Sequence, residues 1–247
     1  MDLALTVNAW IDEELIFAQQ LGARQVFAAA DPGWKDAPGW DAAALAKLAN
    51  RVEKAGLLLA GLYASTAPAA EPQAWALRLV MDAGAAKIGL VSLAPAFLPA
   101  RRAEKAAPAA WPPLVEAAQQ AGVKLALPAA RLPGARPGAR AGLPHDLTAN
   151  AGLDAVSALA LRWLEQTDSA ARGRFLERLL LVSFEGLPTR PGPGLDDLLP
   201  LCLRLRESGY AGLVRLGLPA RWKGDTPAAH QARAFSTGFL RGVLHSI

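Results

Sequence analysis

The chain is poor in the side chains that most often carry chemistry. It has one cysteine, three histidines and two tyrosines in 247 residues, and charged residues make up only 19%. A single cysteine, Cys202, excludes an internal disulfide. It falls at an apolar position of "LDDLLPLCLRLRESG" and reads as a small core residue. No apolar run approaches the roughly 20 residues of a transmembrane helix. The opening "MDLALTVNAW" lacks a basic segment before its apolar stretch, so a signal peptide is not expected. These absences make a cytoplasmic protein with no membrane partner the expectation. The net charge of +4 and pI near 9.5 are compatible with anionic ligands. No dense basic stripe with interleaved aromatics accompanies them, which argues against a nucleic-acid partner.

What the chain does have is rhythm. Short apolar runs recur at 3–9, 25–31, 57–64, 87–93, 123–129, 152–159, 179–186 and 212–219. Each is almost continuously apolar, as expected of parallel strands covered on both faces. Amphipathic segments separate them. One opens at Asp12, read as an N-cap, and stops at Gly22; another runs from Asp41 to Gly56. A third opens at Pro112 and Pro113 and stops at Gly122, and a fourth ends at Gly209. A cap or proline at the start and glycine just past the end is the usual helix asymmetry. Pro200 interrupts the fourth, so that helix should kink or begin late.

Eight strands separated by helices in about 250 residues predict an α/β fold, a single (β/α)8 TIM barrel occupying 1–247. A doubly wound open sheet is the second choice, but "VNAWIDEE" lacks the glycine-rich turn that such a sheet usually carries after its first strand. The stretch 131–144, "RLPGARPGARAGLP", reads as a mobile Pro/Gly/Arg loop inside the domain, because the strand–helix pattern resumes after it.

In such a barrel the chemistry lies at the C-terminal ends of the strands. Those ends offer Asn8 and Trp10; Asp31, Trp34 and Lys35; Tyr63 and Ser65; Ser92; Arg131; Asp154 and Ser157; Ser183 and Glu185; and Arg215, followed by Arg221, Lys223 and Asp225. Asp31, Glu185 and Asp225 are the acid–base candidates, with Asp154 as a further carboxylate, because paired carboxylates alone can run proton transfer. Trp34, Tyr63, Arg131, Ser183 and Arg215 are the candidate ligand contacts, suited to stacking on or pairing with a sugar or its acid. His145, His230 and His245 lie away from strand ends, and only the pair His145–Asp146 could fold over the mouth. No convergent set of metal ligands emerges, so no metal or other cofactor is expected. No G-x-S-x-G elbow, P-loop or H-E-x-x-H is present.

Across nearly its whole length the chain resembles the xylose-isomerase-like TIM barrels, the sugar phosphate isomerase and epimerase relatives, and among them the mannonate dehydratase type. The resemblance rests on "ELIFAQQLGARQVFAAADPGW", "LANRVEKAGLLLAGL", "AAQQAGVKLALPAARLP", "LLLVSFEG", "RESGYAGLVRLGLP" and "GDTPAAHQARAFSTGFLRGVL", in order. It implies the barrel fold and a carbohydrate ligand. The family performs a metal-dependent dehydration, holding its divalent ion with His, Cys, His and Asp at four strand ends. Here Pro128 and Ala129 follow "GVKLAL", and Val156 stands near the cysteine position. Ser183, Glu185 and Gly186 replace His-x-Arg-Asp, and Leu216, Gly217 and Leu218 precede Pro219 where Asp-His is expected.

Taken together, the resemblance and its departures imply a metal-free descendant, a pseudoenzyme for the parental reaction that binds a sugar, a sugar acid or a protein partner. The alternative is an active isomerase, epimerase or dehydratase with a rebuilt acid–base or metal site. An apurinic endonuclease, another metal-dependent relative, would need ligands that this chain lacks. A homodimer is compatible with Trp75, Trp111 and Trp163 on outer helices, although helix-to-barrel packing is the simpler role for each.

Overall fold

A computed structural model describes residues 1–32, 39–68, 70–97, 111–129, 150–165, 169–184, 198–217 and 227–246. The strands are β1 (Asp2–Val7), β2 (Gln25–Ala30), β3 (Leu58–Ala64), β4 (Leu90–Leu93), β5 (Lys124–Pro128), β6 (Ala151–Val156), β7 (Leu179–Phe184) and β8 (Leu213–Leu216). They form a closed barrel in sequence order, each pairing in parallel with the next. The pairing of β1 with β8, with Asp2 opposite Leu213 and Leu5 opposite Leu216, closes the ring and eliminates the open-sheet alternative. The helices are α1 (Asp12–Gln20), α2 (Ala42–Lys54), α3 (Pro72–Ala85), α4 (Trp111–Ala121), α5 (Ser157–Leu164), α6 (Ser169–Arg178), α7 (Leu198–Glu207) and α8 (Pro227–Ser246).

The helix ends follow the sequence signals closely. Asp41 caps α2 by accepting a hydrogen bond from the Ala44 N–H at 2.8 Å. Gly22, Gly56, Gly122 and Gly209 follow α1, α2, α4 and α7 with φ between 66° and 74°, the left-handed geometry that ends a helix. Two expectations need correction. Ile11, not Asp12, flanks α1, so the Asp12, Glu13 and Glu14 charges complement the first turn of the helix instead of capping it. The sixth strand stops at Val156, and Ser157 opens α5, because "SALALRWL" carries a helical face. Pro200 acts as expected of a helix that begins late: α7 is Leu198–Glu207, with the proline in its first turn. The 131–144 loop lies outside the described residues.

Two apolar layers result. The larger lies between the barrel and its helices and includes Leu15, Leu45, Leu48, Leu79, Leu114, Phe175 and Leu205. Trp163 of α5 stacks on Phe175 of α6 at 4.9 Å, and Trp75 of α3 on Phe97, just past β4, at 5.5 Å, so both rings pack within the chain. Cys202 is fully buried in this layer, and burial pushes its thiol pKa up to about 11. The smaller layer fills the barrel itself with Ala4, Phe27, Leu90, Ala126 and Leu181.

Small residues leave room for the one large ring of that inner layer. A Cβ at Gly61 would lie 2.9 Å from Phe27 Cε1 and 2.6 Å from the Leu90 carbonyl oxygen. The carbonyl is backbone and cannot swing aside. Gly61→Ala should therefore cost about 1–3 kcal/mol through overpacking, read as a lowered urea midpoint with an unchanged slope.

Candidate functional site

Side chains alternate across a strand, so residues two apart on the inner face lie one above the other. On four strands this step changes the chemistry within one repeat. Ala4 gives way to Thr6 on β1, Leu90 to Ser92 on β4, Leu181 to Ser183 on β7 and Leu213 to Arg215 on β8. On β3 and β6 the same step runs from Gly61 to Tyr63 and from Gly152 to Asp154. The barrel thus carries an apolar floor and, one repeat closer to the strand ends, a polar ring.

That ring is knitted together across the barrel. Arg215 donates from Nη2 and Nε to the Ser183 hydroxyl, at 2.8 and 3.2 Å. Its Nη2 also lies 3.5 Å from Asp154 Oδ2. The Ser92 hydroxyl donates to Asp154 Oδ2 at 2.7 Å, and the Ser183 hydroxyl donates to Oδ1 at 2.5 Å. The Tyr63 ring lies against the cation, with the guanidinium carbon 3.6 Å from the ring centroid. Arg215 is 1% exposed and Asp154 7%, so charge and counter-charge are held almost out of water. The carboxylate is felt below the ring as well. Tyr210, whose hydroxyl lies 2.8 Å from the Leu213 carbonyl oxygen and 3.2 Å from that of Leu180, is shifted well above the ordinary tyrosine range, first by burial and then by Asp154.

A cavity of about 30 Å³ touches this network from the strand-end side, bounded by Tyr63, Leu93, Pro95, Pro128, Asp154 and Val156. It has space for water but not for a sugar ring. Tyr63 and Asp154 are the members of the network that border it. Asp31 lies at the end of β2, half-buried, where its Oδ1 accepts the Thr66 hydroxyl at 2.6 Å. Trp40 donates from Nε1 to the Asp31 carbonyl oxygen at 3.2 Å. Asn8 turns back to accept the Trp10 N–H at 3.1 Å, and Trp10 packs edge-on to Trp40, between α1 and α2.

Of the residues singled out from sequence, the structure brings Tyr63, Ser183, Arg215, Asp154 and Ser92 into one network and leaves Asp31 apart from it. Ser183 and Arg215, expected as ligand contacts at the mouth, are instead buried in bonds to each other and to Asp154. Ser157 belongs to a helix and not to a strand end. Trp34, Lys35, Arg131, His145, Asp146, Glu185, Arg221, Lys223 and Asp225 lie outside the described residues. Among the described residues, no group of three or more His, Cys, Asp or Glu side chains converges as a metal site. The strand ends to which the family resemblance assigns ion ligands carry Pro128, Ala129, Val156 and Ser183. The pairing of Asp154 with Arg215, 61 residues apart, was the part that sequence reasoning missed. A polar residue one step from the end of an apolar strand was its only trace.

The network makes a sharp energetic prediction. Arg215→Ala strands a buried carboxylate and should cost about 3–5 kcal/mol in a urea titration. The double variant Arg215→Met/Asp154→Leu removes both charges and should recover most of that loss.

No family model matches the chain, and no curated protein matches it by sequence. Solved structures do match its shape. D-psicose 3-epimerase from Clostridium cellulolyticum H10, crystallised with D-tagatose, superposes with a TM-score of 0.64 at 15% identity, covering 99% of both chains. L-ribulose 3-epimerase gives 0.63 at 17% identity, over 100% of this chain and 97% of that one. A xylose isomerase domain protein from Planctomyces limnophilus gives 0.64 at 12% identity, over 99% and 97%. From end to end, the chain has the (β/α)8 barrel fold of these sugar epimerases and of the xylose isomerase domain protein.

Proposed function

We propose that the protein binds a small sugar or sugar acid over the C-terminal end of its barrel without a divalent ion, and that it does not catalyse the metal-dependent dehydration of mannonate. The observation that carries this reading is the fixed cation at the centre of the polar ring. A divalent ion placed about 5 Å from a guanidinium is repelled by roughly 7 kcal/mol at an effective dielectric near 20. Asp154, the carboxylate of the ring, already accepts bonds from Ser92, Ser183 and Arg215. Pro128, Ala129 and Val156 supply no ligand atom on their side chains. The described residues there do not fit a metal ion. They fit a ligand that rests on an aromatic face and meets fixed polar groups, as sugars do.

The fold likeness to sugar epimerases supports the carbohydrate class of the ligand, and so does the crystallisation of one of them with D-tagatose. A second reading, an active isomerase or epimerase, is favoured by the position of Asp31. It is a carboxylate at a strand end, oriented by Thr66, that the central network does not consume.

Thermal unfolding in the presence of aldonates, uronates and ketoses tests the binding. A cognate ligand at about a hundred times its dissociation constant should raise Tm by roughly 5–10 °C. Tyr63→Leu should weaken that ligand about tenfold. If no sugar or sugar acid shifts the transition, the binding reading fails. Incubation of ketoses in heavy water separates the two readings. Binding alone leaves carbon-bound hydrogens unexchanged, whereas deuterium uptake that Asp31→Asn abolishes would establish the epimerase.

A further inference from the structure

On the barrel face opposite the strand ends, a second cavity of about 200 Å³ opens between the starts of β1 and β2 and the last turns of α8. Its wall includes Asp2, Leu5, Arg24, Thr237, Arg241 and His245. It shares no residue with the mouth, and the sugar-binding reading makes no use of it.

Three observations point to a ligand. Thr237 is 2% exposed, and its hydroxyl has no hydrogen-bond partner among the described residues. A buried hydroxyl left without a partner is costly, and a rotation about χ1 that brings it to the cavity its residue lines recovers that cost when something there accepts its proton. Arg241 is laid across the turn between α1 and β2, where its Nη1 donates to the Leu21 carbonyl oxygen at 3.2 Å. Gly22 makes that approach possible, because a Cβ there would lie 2.1 Å from Nη1 and the glycine is already at φ 69°. Arg24 lies two residues further along the same turn, exposed at the rim. Neither arginine forms an ion pair among the described residues, and the opposing charge in the wall is the single carboxylate of Asp2.

We propose that this cavity binds a phosphate-type oxyanion, either free or carried on a phosphorylated metabolite. Arg24 and Arg241 neutralise it, and the Thr237 hydroxyl donates to one of its oxygens. Two planar cations and a hydroxyl, supplied by a turn and a helix, suit a group with three outward oxygens better than the two of a carboxylate.

The test is calorimetric titration of inorganic phosphate, a hexose phosphate and acetate at matched ionic strength. Saturable binding of phosphate near one site per chain is expected, with acetate inert. A tighter hexose phosphate would identify a phosphorylated metabolite as the ligand, and equal affinities would identify free phosphate. Arg24→Ala and Arg241→Ala should each weaken binding about tenfold. Arg24 is exposed, so its variant retains the fold, and its Tm without phosphate verifies this. Thr237→Val should leave Tm unchanged or higher without phosphate, while weakening phosphate about tenfold. Tyr63→Leu, at the opposite face, should leave phosphate affinity unchanged. Absence of saturable binding up to about 10 mM, a weak limit for any specific small-molecule site, would overturn the proposal. So would wild-type affinity in Arg24→Ala or Thr237→Val, acetate binding as well as phosphate, or loss of binding in Tyr63→Leu.

Discussion

A guanidinium buried inside a barrel has to be neutralised and hydrogen-bonded where it stands, because water cannot reach it. Arg215 is held there through Nε and Nη2 by one carboxylate and one hydroxyl, and by one aromatic face, supplied by β6, β7 and β3. Ser92 on β4 then satisfies the carboxylate from its other side. Four strands besides its own are therefore committed to a single charge. Removing either the guanidinium or the carboxylate leaves the other charge buried and stranded, which is why breaking a buried pair costs so much.

The same network sets what the mouth can do. In the fold's polar ring, convergent side chains can either hold a ligand or hold each other. Here, among the described residues, they hold each other, and the cavity that borders Asp154 and Tyr63 has a volume of about 30 Å³. Asp31, at the end of β2 beside Thr66, stands outside this network. The floor below is set by simpler packing. Gly61 and the alanines of β1 and β5 admit Phe27, and nothing polar intrudes until the next inward position.

The fold was legible because its signals are local. Apolar runs of strand length, an aspartate at the start of α2 and glycines past four helix ends are each read within a few residues of sequence. The errors were local as well. The run after Asp154 is apolar whether it continues as strand or turns into helix, so the boundary at Ser157 was invisible to hydrophobicity alone. The site was legible only as a roster. Polar residues interrupting strand ends named Tyr63, Ser92, Asp154, Ser183 and Arg215 correctly as inhabitants of one end of the barrel. Their bonding was not legible, because contacts across a closed barrel join residues 29 to 152 positions apart. The second cavity left still less trace, since Arg24 and Arg241 meet only when α8 returns to the first helix turn.

The central claim is that a fixed guanidinium, and not a divalent ion, supplies the positive charge at the heart of this barrel. Elemental mass spectrometry of the purified, untagged protein tests it directly, before and after incubation with manganese, zinc and magnesium followed by desalting. The account predicts no stoichiometric metal under any of these conditions. One ion per chain, removable by a chelator and unaffected by the phosphate-site variants, would contradict it.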